Sequence, residues 1–212
     1  MLYSLAVSGL LILVVVLAAI FVFHVGRRST SVKKFPIAAG CKQKTFPILP
    51  GTHVFALNAK VKWNSFPPTS GPHYASPAAW NFYTDPINPR ISLHNLEHGG
   101  VDIFYGSKVP SSQIQDLQTF WNSDPNGILV APMPKADKNI SVPRPIPSYA
   151  NKIVLAAWTA EPYGTTRGAV TPGHGYLMAC NHFDEKTIKN FRDQHRGKGP
   201  ERFSVASLTP GT

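Results

Sequence analysis

Two histidines and a glutamate occur within the five-residue segment HNLEH, as His94, Glu97 and His98. Side chains of these types can bind a metal ion, transfer a proton or stabilise a turn through buried hydrogen bonds. A third histidine, His73, ends the proline-rich stretch NSFPPTSGPH. Because proline restricts the backbone, that stretch is expected to be stiff. We therefore expect the fold to bring the three histidines together in one site.

The first hypothesis for this site is the binding of a transition metal. The expected ion is copper or zinc, because imidazole binds both and thioether sulfur binds copper(I). The predicted ligands are three histidines and a glutamate: His73, His94, His98 and Glu97. Three further side chains are candidates for an additional ligand: His53, His174 and Met178. Glu97 could instead be the hydrogen-bond acceptor that orients a ligand ring.

Two other functions stay open, and the sequence does not decide whether the protein is an enzyme. The segment matches the H-x-x-E-H motif of zinc hydrolases, in which the histidines bind zinc and the glutamate activates water. That motif requires a long helix, whereas Pro89 and Gly99 limit a helix here to a turn or two. It also requires a downstream acidic ligand, for which the candidates are Glu161, Glu185 and Glu201. The remaining hypothesis is a non-catalytic interaction or assembly module, in which a structural His and Glu cluster satisfies buried backbone groups.

Composition and charge narrow the classes of fold and partner. Hydrophobic residues make up 43% of the 212 residues, charged residues make up 15%, and there are 20 prolines. These values predict one loop-rich domain with a substantial core. The net charge of +10 favours anionic partners, including lipid head groups. The basic residues are scattered and form no recognition pattern for nucleic acid, so we predict no nucleic-acid binding; protein partners stay unknown.

The amino-terminal segment is predicted to anchor the protein in a membrane. No charged side chain occurs from Met1 to Phe23, and an apolar helix of about 20 residues spans a bilayer. We interpret residues 1–24 as a transmembrane anchor that is not cleaved, and residues 25–40 as a basic juxtamembrane linker. Residues 41–206 are the predicted folded domain, and residues 207–212 are a predicted tail.

Three features bear on which side of the membrane the domain lies. Basic residues follow the apolar segment, which by the positive-inside tendency predicts a cytoplasmic domain. Two cysteines, Cys41 and Cys180, are predicted to form a disulfide, which a reducing cytoplasm would not keep oxidised. Asn139 begins the sequon NIS, which can be glycosylated only in a secretory lumen. We expect an extracytoplasmic domain, at the cell surface or in a secretory lumen.

Hydrophobic patterns predict an α+β fold with two main helices and a small antiparallel or mixed sheet. Strands are predicted near residues 101–105, 128–131, 153–158 and 176–180. One helix presents an apolar face that includes Leu117 and Phe120, and the last helix begins after Asp184 as its N-cap. Residues 161–175 are predicted to be an exposed excursion. His182 and His195, taken singly, are predicted to be solvated or capping residues.

These segments resemble those of a known bacterial family, the domain of unknown function 3105. The similar features are the stretch at residues 64–73, the HNLEHG segment at residues 94–99, a strand that ends in Ala157 and Trp158, and a closing GPE at residues 199–201. The resemblance covers about residues 41–203. Its members are membrane-anchored or exported, so it implies an extracytoplasmic domain whose His73, His94, Glu97 and His98 belong together. It implies no activity, and residues 159–175 depart from the pattern as an insertion.

Overall fold

The computed structural model describes residues 36–160 and 173–212. The predicted anchor, residues 25–35 of the predicted linker, and residues 161–172 of the predicted excursion lie outside these ranges. Glu161, a candidate acidic ligand, also lies outside them.

The described chain contains nine strands and three α-helices. In chain order the strands are β1 (Cys41–Pro47), β2 (His53–Val54), β3 (Val61–Lys62), β4 (His73–Tyr74), β5 (Val101–Tyr105), β6 (Ile128–Pro132), β7 (Ile140–Ser141), β8 (Ile153–Ala160) and β9 (Gly173–Cys180). The helices are α1 (Pro89–Glu97), α2 (Ser111–Ser123) and α3 (Glu185–His195), and a 3₁₀ turn spans Val205–Ser207.

A five-stranded mixed sheet in the order β1-β9-β8-β5-β6 organises the domain. Strands β5 and β6 are parallel, whereas the other neighbours in this sheet are antiparallel. The parallel pair needs a crossover connection, and α2 supplies it. Two small parallel pairs, β2 with β4 and β3 with β7, lie outside this sheet. The prediction of an α+β fold with a mixed sheet is confirmed.

Side chains on the central strand β8 divide the core into two layers. All eight of its residues are buried, as expected for a strand covered on both faces. Leu155 contributes to the layer that α2 and α3 cover, with Leu117 and Phe191 among its members. Trp158 contributes to the opposite layer, together with Leu93 from α1. The sheet therefore separates the residues packed against α1 from those packed against α2 and α3.

The segment that contains Glu97 is more helical than predicted. Helix α1 is nine residues long and gives the domain three α-helices instead of two. It begins with Asn88 as N-cap, whose side chain accepts from the amide of Arg90, and Pro89 occupies the first turn, where its missing amide hydrogen costs nothing. Gly99 adopts a φ of 94° after the helix, a conformation that favours glycine.

Three further predictions have outcomes in the described chain. The Asp184 side chain accepts from the amide of Thr187, so the predicted N-cap of α3 is confirmed. His195 is buried, with 6% of its surface exposed, which corrects the prediction of a solvated or capping residue. Leu208, in the predicted tail, is also buried, and its carbonyl accepts from the amide of Gly127.

The sulfurs of Cys41 and Cys180 lie at disulfide distance, so the predicted pairing is confirmed. The two residues are cross-strand partners on β1 and β9. Because β1 is at the edge of the described sheet, this bond fixes the edge strand to its neighbour β9. In residues 36–160 and 173–212, no helix is long and apolar enough to cross a membrane.

Candidate metal centre

His73 is held rigidly by the proline-rich stretch that precedes it. The side chain of Trp63 donates to the carbonyl of Pro72 at 2.9 Å, and the Ser70 hydroxyl accepts from the amide of Leu49 at 3.0 Å. His73 itself is fully buried. Its Nδ1 lies 2.8 Å from the carbonyl oxygen of Gly71. Because a carbonyl can only accept, Nδ1 donates its hydrogen to Gly71, which leaves Nε2 as the ring nitrogen that faces Glu97.

Strand pairing and helix α1 bring three more side chains to His73. His53 is its register partner in the parallel pair of β2 and β4. His94 and Glu97 lie three residues apart on α1, so they share one face of the helix. One ligand atom from each of His53, His73, His94 and Glu97 lies within 4.8 Å of the others. These four side chains, called the first group below, have the geometry to hold a metal ion.

The orientation of His94 matches that of His73. Its Nδ1 lies 2.8 Å from the carbonyl oxygen of Tyr74, so Nδ1 donates and Nε2 is left as the donor atom for a metal. Burial lowers the pKa of His94 below its ordinary value, although the bond to Tyr74 opposes this shift. The ring is therefore neutral near pH 7, and a neutral ring is the form that binds metal.

Glu97 supplies the one carboxylate of the first group. Its Oε2 lies 2.9 Å from Nε2 of His73 and 3.3 Å from Nε2 of His53. Nε2 of His73 is buried and makes this contact without a well-formed hydrogen bond in the described chain. Burial favours the protonated acid, but the contacts with His73 and His53 outweigh burial and lower the pKa of Glu97. The carboxylate is thus ionised near neutral pH.

Gly51 allows the carboxylate of Glu97 to lie against the backbone. A Cβ atom at this position would lie 2.2 Å from Oε1 of Glu97 and 3.0 Å from the ring of Trp158. Any side chain at position 51 must therefore displace the carboxylate or the indole. The first group therefore depends on Gly51, a residue that no motif or spacing in the sequence indicates.

His98 belongs to a second, adjacent group. It is the C-cap residue of α1, and its Nε2 lies 3.0 Å from Oε2 of Glu201. Ligand atoms of His94, His98 and Glu201 lie within 4.8 Å of one another, so this second group could also hold a metal. Burial lowers the pKa of His98 to about 4. The structure brings His94 close to both His73 and His98, but His73 and His98 lie in different groups and do not form the single three-histidine site that was expected.

The GPE segment after α3 places Glu201 in the second group. The amide of Gly197 donates to the carbonyl of Gly99 at 2.7 Å, and the amide of Glu201 donates to the carbonyl of Glu97 at 3.1 Å. A Cβ atom on Gly199 would lie 2.2 Å from the amide nitrogen of Gly99. Two glycines therefore allow the backbones to approach closely enough for these bonds.

Several candidate residues lie away from both groups. Met178 pairs with Leu155 and packs in the layer covered by α2 and α3, across the sheet from Trp158. His174 pairs with Thr159 on that same side and is exposed. Glu185 is exposed at the start of α3. The sheet itself separates Met178 and His174 from the His and Glu groups.

The structure also shows the surroundings of the Asn139 sequon and of the H-x-x-E-H motif. The Asn139 side chain of the sequon donates to the carbonyl of Asn58 at 2.7 Å. The H-x-x-E-H motif occupies the end of a nine-residue helix, because α1 ends at Glu97. The long helix that the zinc-hydrolase motif requires does not continue beyond the glutamate.

One of three comparisons with known proteins gives a match. The comparison with curated proteins returned no match, and neither did the comparison with solved structures. The comparison with protein families matches residues 54–207, more than half of the chain, to the family described as "Protein of unknown function (DUF3105)". The matched range contains the proline-rich stretch, His94 of α1, the C-cap residue His98 and the GPE segment. The resemblance inferred from these motifs is confirmed, and the chain belongs to this family.

Proposed function

We propose that this domain binds a transition metal ion through His53, His73, His94 and Glu97. The observation that carries the proposal is the shared arrangement of His73 and His94. Each ring donates from Nδ1 to a backbone carbonyl, which leaves Nε2 available beside an ionised carboxylate. Metal-binding histidines are held in this way, because the second hydrogen bond fixes both the tautomer and the ring orientation.

The ligand types favour zinc(II), with copper(II) as the second choice. Three imidazoles and a carboxylate form a set of four, the number that a tetrahedral zinc site takes. Copper(I) would favour sulfur ligands. Met178 lies across the sheet, and both cysteines are at disulfide distance from each other, so none of these three sulfurs joins the first group. Copper(II) also binds imidazole and forms the most stable complexes of the first-row divalent ions.

Metal content and affinity test this proposal. Protein purified without chelator is expected to contain zinc or copper at a stoichiometric level. Replacing His73 and His94 together by Ala should weaken zinc affinity at least about 100-fold, because loss of ligands costs more than loss of their hydrogen-bond partners. Isothermal titration of the chelator-treated protein measures this change. His174→Ala with His182→Ala is the matched control, since both side chains are exposed.

A variant that keeps every ligand separates metal binding from simple loss of histidines. Gly51→Ala should weaken metal binding while preserving the circular dichroism spectrum, because the new Cβ displaces the carboxylate of Glu97. Absence of stoichiometric metal in all preparations would reject the proposal. A folded, metal-free protein that loses stability on Glu97→Ala would instead support the assembly module with a structural cluster.

We further propose that the domain is extracytoplasmic, tethered by residues 1–24, and faces anionic lipid. The disulfide supports an oxidising compartment. A groove with a volume of about 600 Å³ supports the lipid partner. None of its described lining residues is acidic. Four of them are cationic: Lys60, Lys62, Lys138 and Arg144. In sealed membrane vesicles whose cytoplasmic face points outwards, an engineered tag on residue 212 should be protected from added protease, and cleavage of the tag would reject the orientation.

Charge reversal in this groove is expected to weaken binding to anionic vesicles about 30-fold, since each basic residue near such a surface contributes about 1 kcal/mol. The variant is Lys60→Glu with Lys62→Glu. The full chain is held in nanodiscs of neutral lipid, and its binding to added phosphatidylserine vesicles is measured by flotation. Lys42→Glu with Lys44→Glu changes the net charge equally on β1 and is the control. Equal losses in both variants would show an effect of total charge and contradict a specific groove.

A further inference from the structure

His94 is shared by the first and second groups, and it can serve only one ion at a time. Its Nδ1 donates to the carbonyl of Tyr74 at 2.8 Å, so a single ring nitrogen is left for a metal. The two groups together contain six side chains: His53, His73, His94, His98, Glu97 and Glu201. Two ions can bind simultaneously with three ligands each if these side chains divide into two sets of three. His94 then leaves the first group and joins the second.

We infer that the centre holds two metal ions side by side, the second bound by His94, His98 and Glu201. This inference rests on the proposed metal-binding function and extends it. The ring centroids of His94 and His98 lie 4.6 Å apart, and Nε2 of His98 lies 3.0 Å from Oε2 of Glu201. The first ion keeps His53, His73 and Glu97, whose oxygen Oε2 already contacts both rings.

The second set of ligands is held by backbone contacts, which argues against an incidental surface ion pair. The amide of Glu201 bonds to the carbonyl of Glu97, the last residue of α1, at 3.1 Å. The side chains of His98 and Glu201 are 17% and 31% exposed, so solvent reaches this group. A metal ion can therefore enter beside the buried first group.

The two sets of ligands are also adjacent in the chain. Glu97 of the first set and His98 of the second are consecutive residues, and His94 lies within one turn of both. Each ion then has three protein ligands, which leaves a coordination position open for water or another ligand, as zinc sites other than structural ones do. This arrangement would therefore bind two divalent transition-metal ions.

Stoichiometry tests the second ion. The full chain, solubilised in neutral detergent and stripped with chelator, is titrated with Zn²⁺ and examined by native mass spectrometry. Wild-type protein should bind two ions. His98→Gln with Glu201→Gln should bind one. The control, His182→Gln with Glu185→Gln, changes an exposed histidine and an exposed glutamate outside both groups and should bind two.

Spectroscopy supplies an independent readout. Titration with Cu²⁺ should give an electron paramagnetic resonance signal at one equivalent that loses intensity at the second, because neighbouring ions couple magnetically. In His98→Gln with Glu201→Gln that loss should be absent. Binding of a single ion by wild type, with the same affinity in this double variant, would overturn the second site while leaving the proposed function intact. Binding of no ion by any form would reject both.

Discussion

Reduction of the bond between Cys41 and Cys180 is expected to lower the free energy of unfolding by about 5 kcal/mol in the chain-entropy model of cross-linking. The physical reason is the length of the loop, since the cysteines are 139 residues apart in the chain. An open chain of this length has many more unfolded conformations than a closed one. Denaturant unfolding with and without reductant, monitored by tryptophan fluorescence, measures the change.

The control for reduction is the variant Cys41→Ser with Cys180→Ser. It should match the reduced wild type, and added reductant should not change its stability. The edge strand β1 is the element most affected, because among the described strands it pairs with β9 alone. Hydrogen exchange should therefore be fastest there in the variant. Equal stability of the oxidised and reduced wild type would contradict the stabilising role of this bond.

The convergence of His73 and His94 could be predicted because each lies in a segment with strong local restraints. Prolines and a glycine fix the approach to His73, and the spacing of His94 and Glu97 suits one face of a helix. His53 was only one of three candidates for a further ligand. Its position follows from the two-residue pairing of β2 with β4, a contact too short to leave a hydrophobic pattern.

The side of the sheet on which a residue lies could not be predicted. Alternation along β9 shows that Met178 and Leu177 point to opposite faces, but it does not say which face carries the histidines. Only the packing of α1 over β8 decides this. Glu201 was a candidate acidic ligand, yet its contact with His98 depends on the close approach of Gly199 to Gly99. Such backbone contacts between distant segments leave no periodic signal in the sequence.

Acidification from pH 7.5 to 5 is expected to remove about 2 kcal/mol of stability through His195 alone, and about 4–5 kcal/mol by pH 3. Burial lowers the pKa of His195 to about 3, with a smaller contribution from Lys198. The unfolded chain binds a proton near pH 6.5, whereas the folded chain does not bind it until the pH falls to about 3. The stabilisation is therefore complete above pH 6.5 and decreases as the pH falls through this interval.

His195→Phe isolates this contribution from those of other acid-sensitive groups. The ring stacks on Tyr176 at 4.1 Å between centroids and meets the edge of Phe191 at 4.5 Å, so an aromatic replacement keeps the packing. Its Nε2 is buried without a hydrogen-bond partner in the described chain, so its loss breaks no such bond there. Urea unfolding in chelator should show a decrease between pH 7.5 and 5 that is about 2 kcal/mol smaller in this variant than in wild type. His182→Phe, at an exposed position, should leave the decrease unchanged. Parallel pH profiles for His195→Phe and wild type would show that the buried imidazole does not control acid stability.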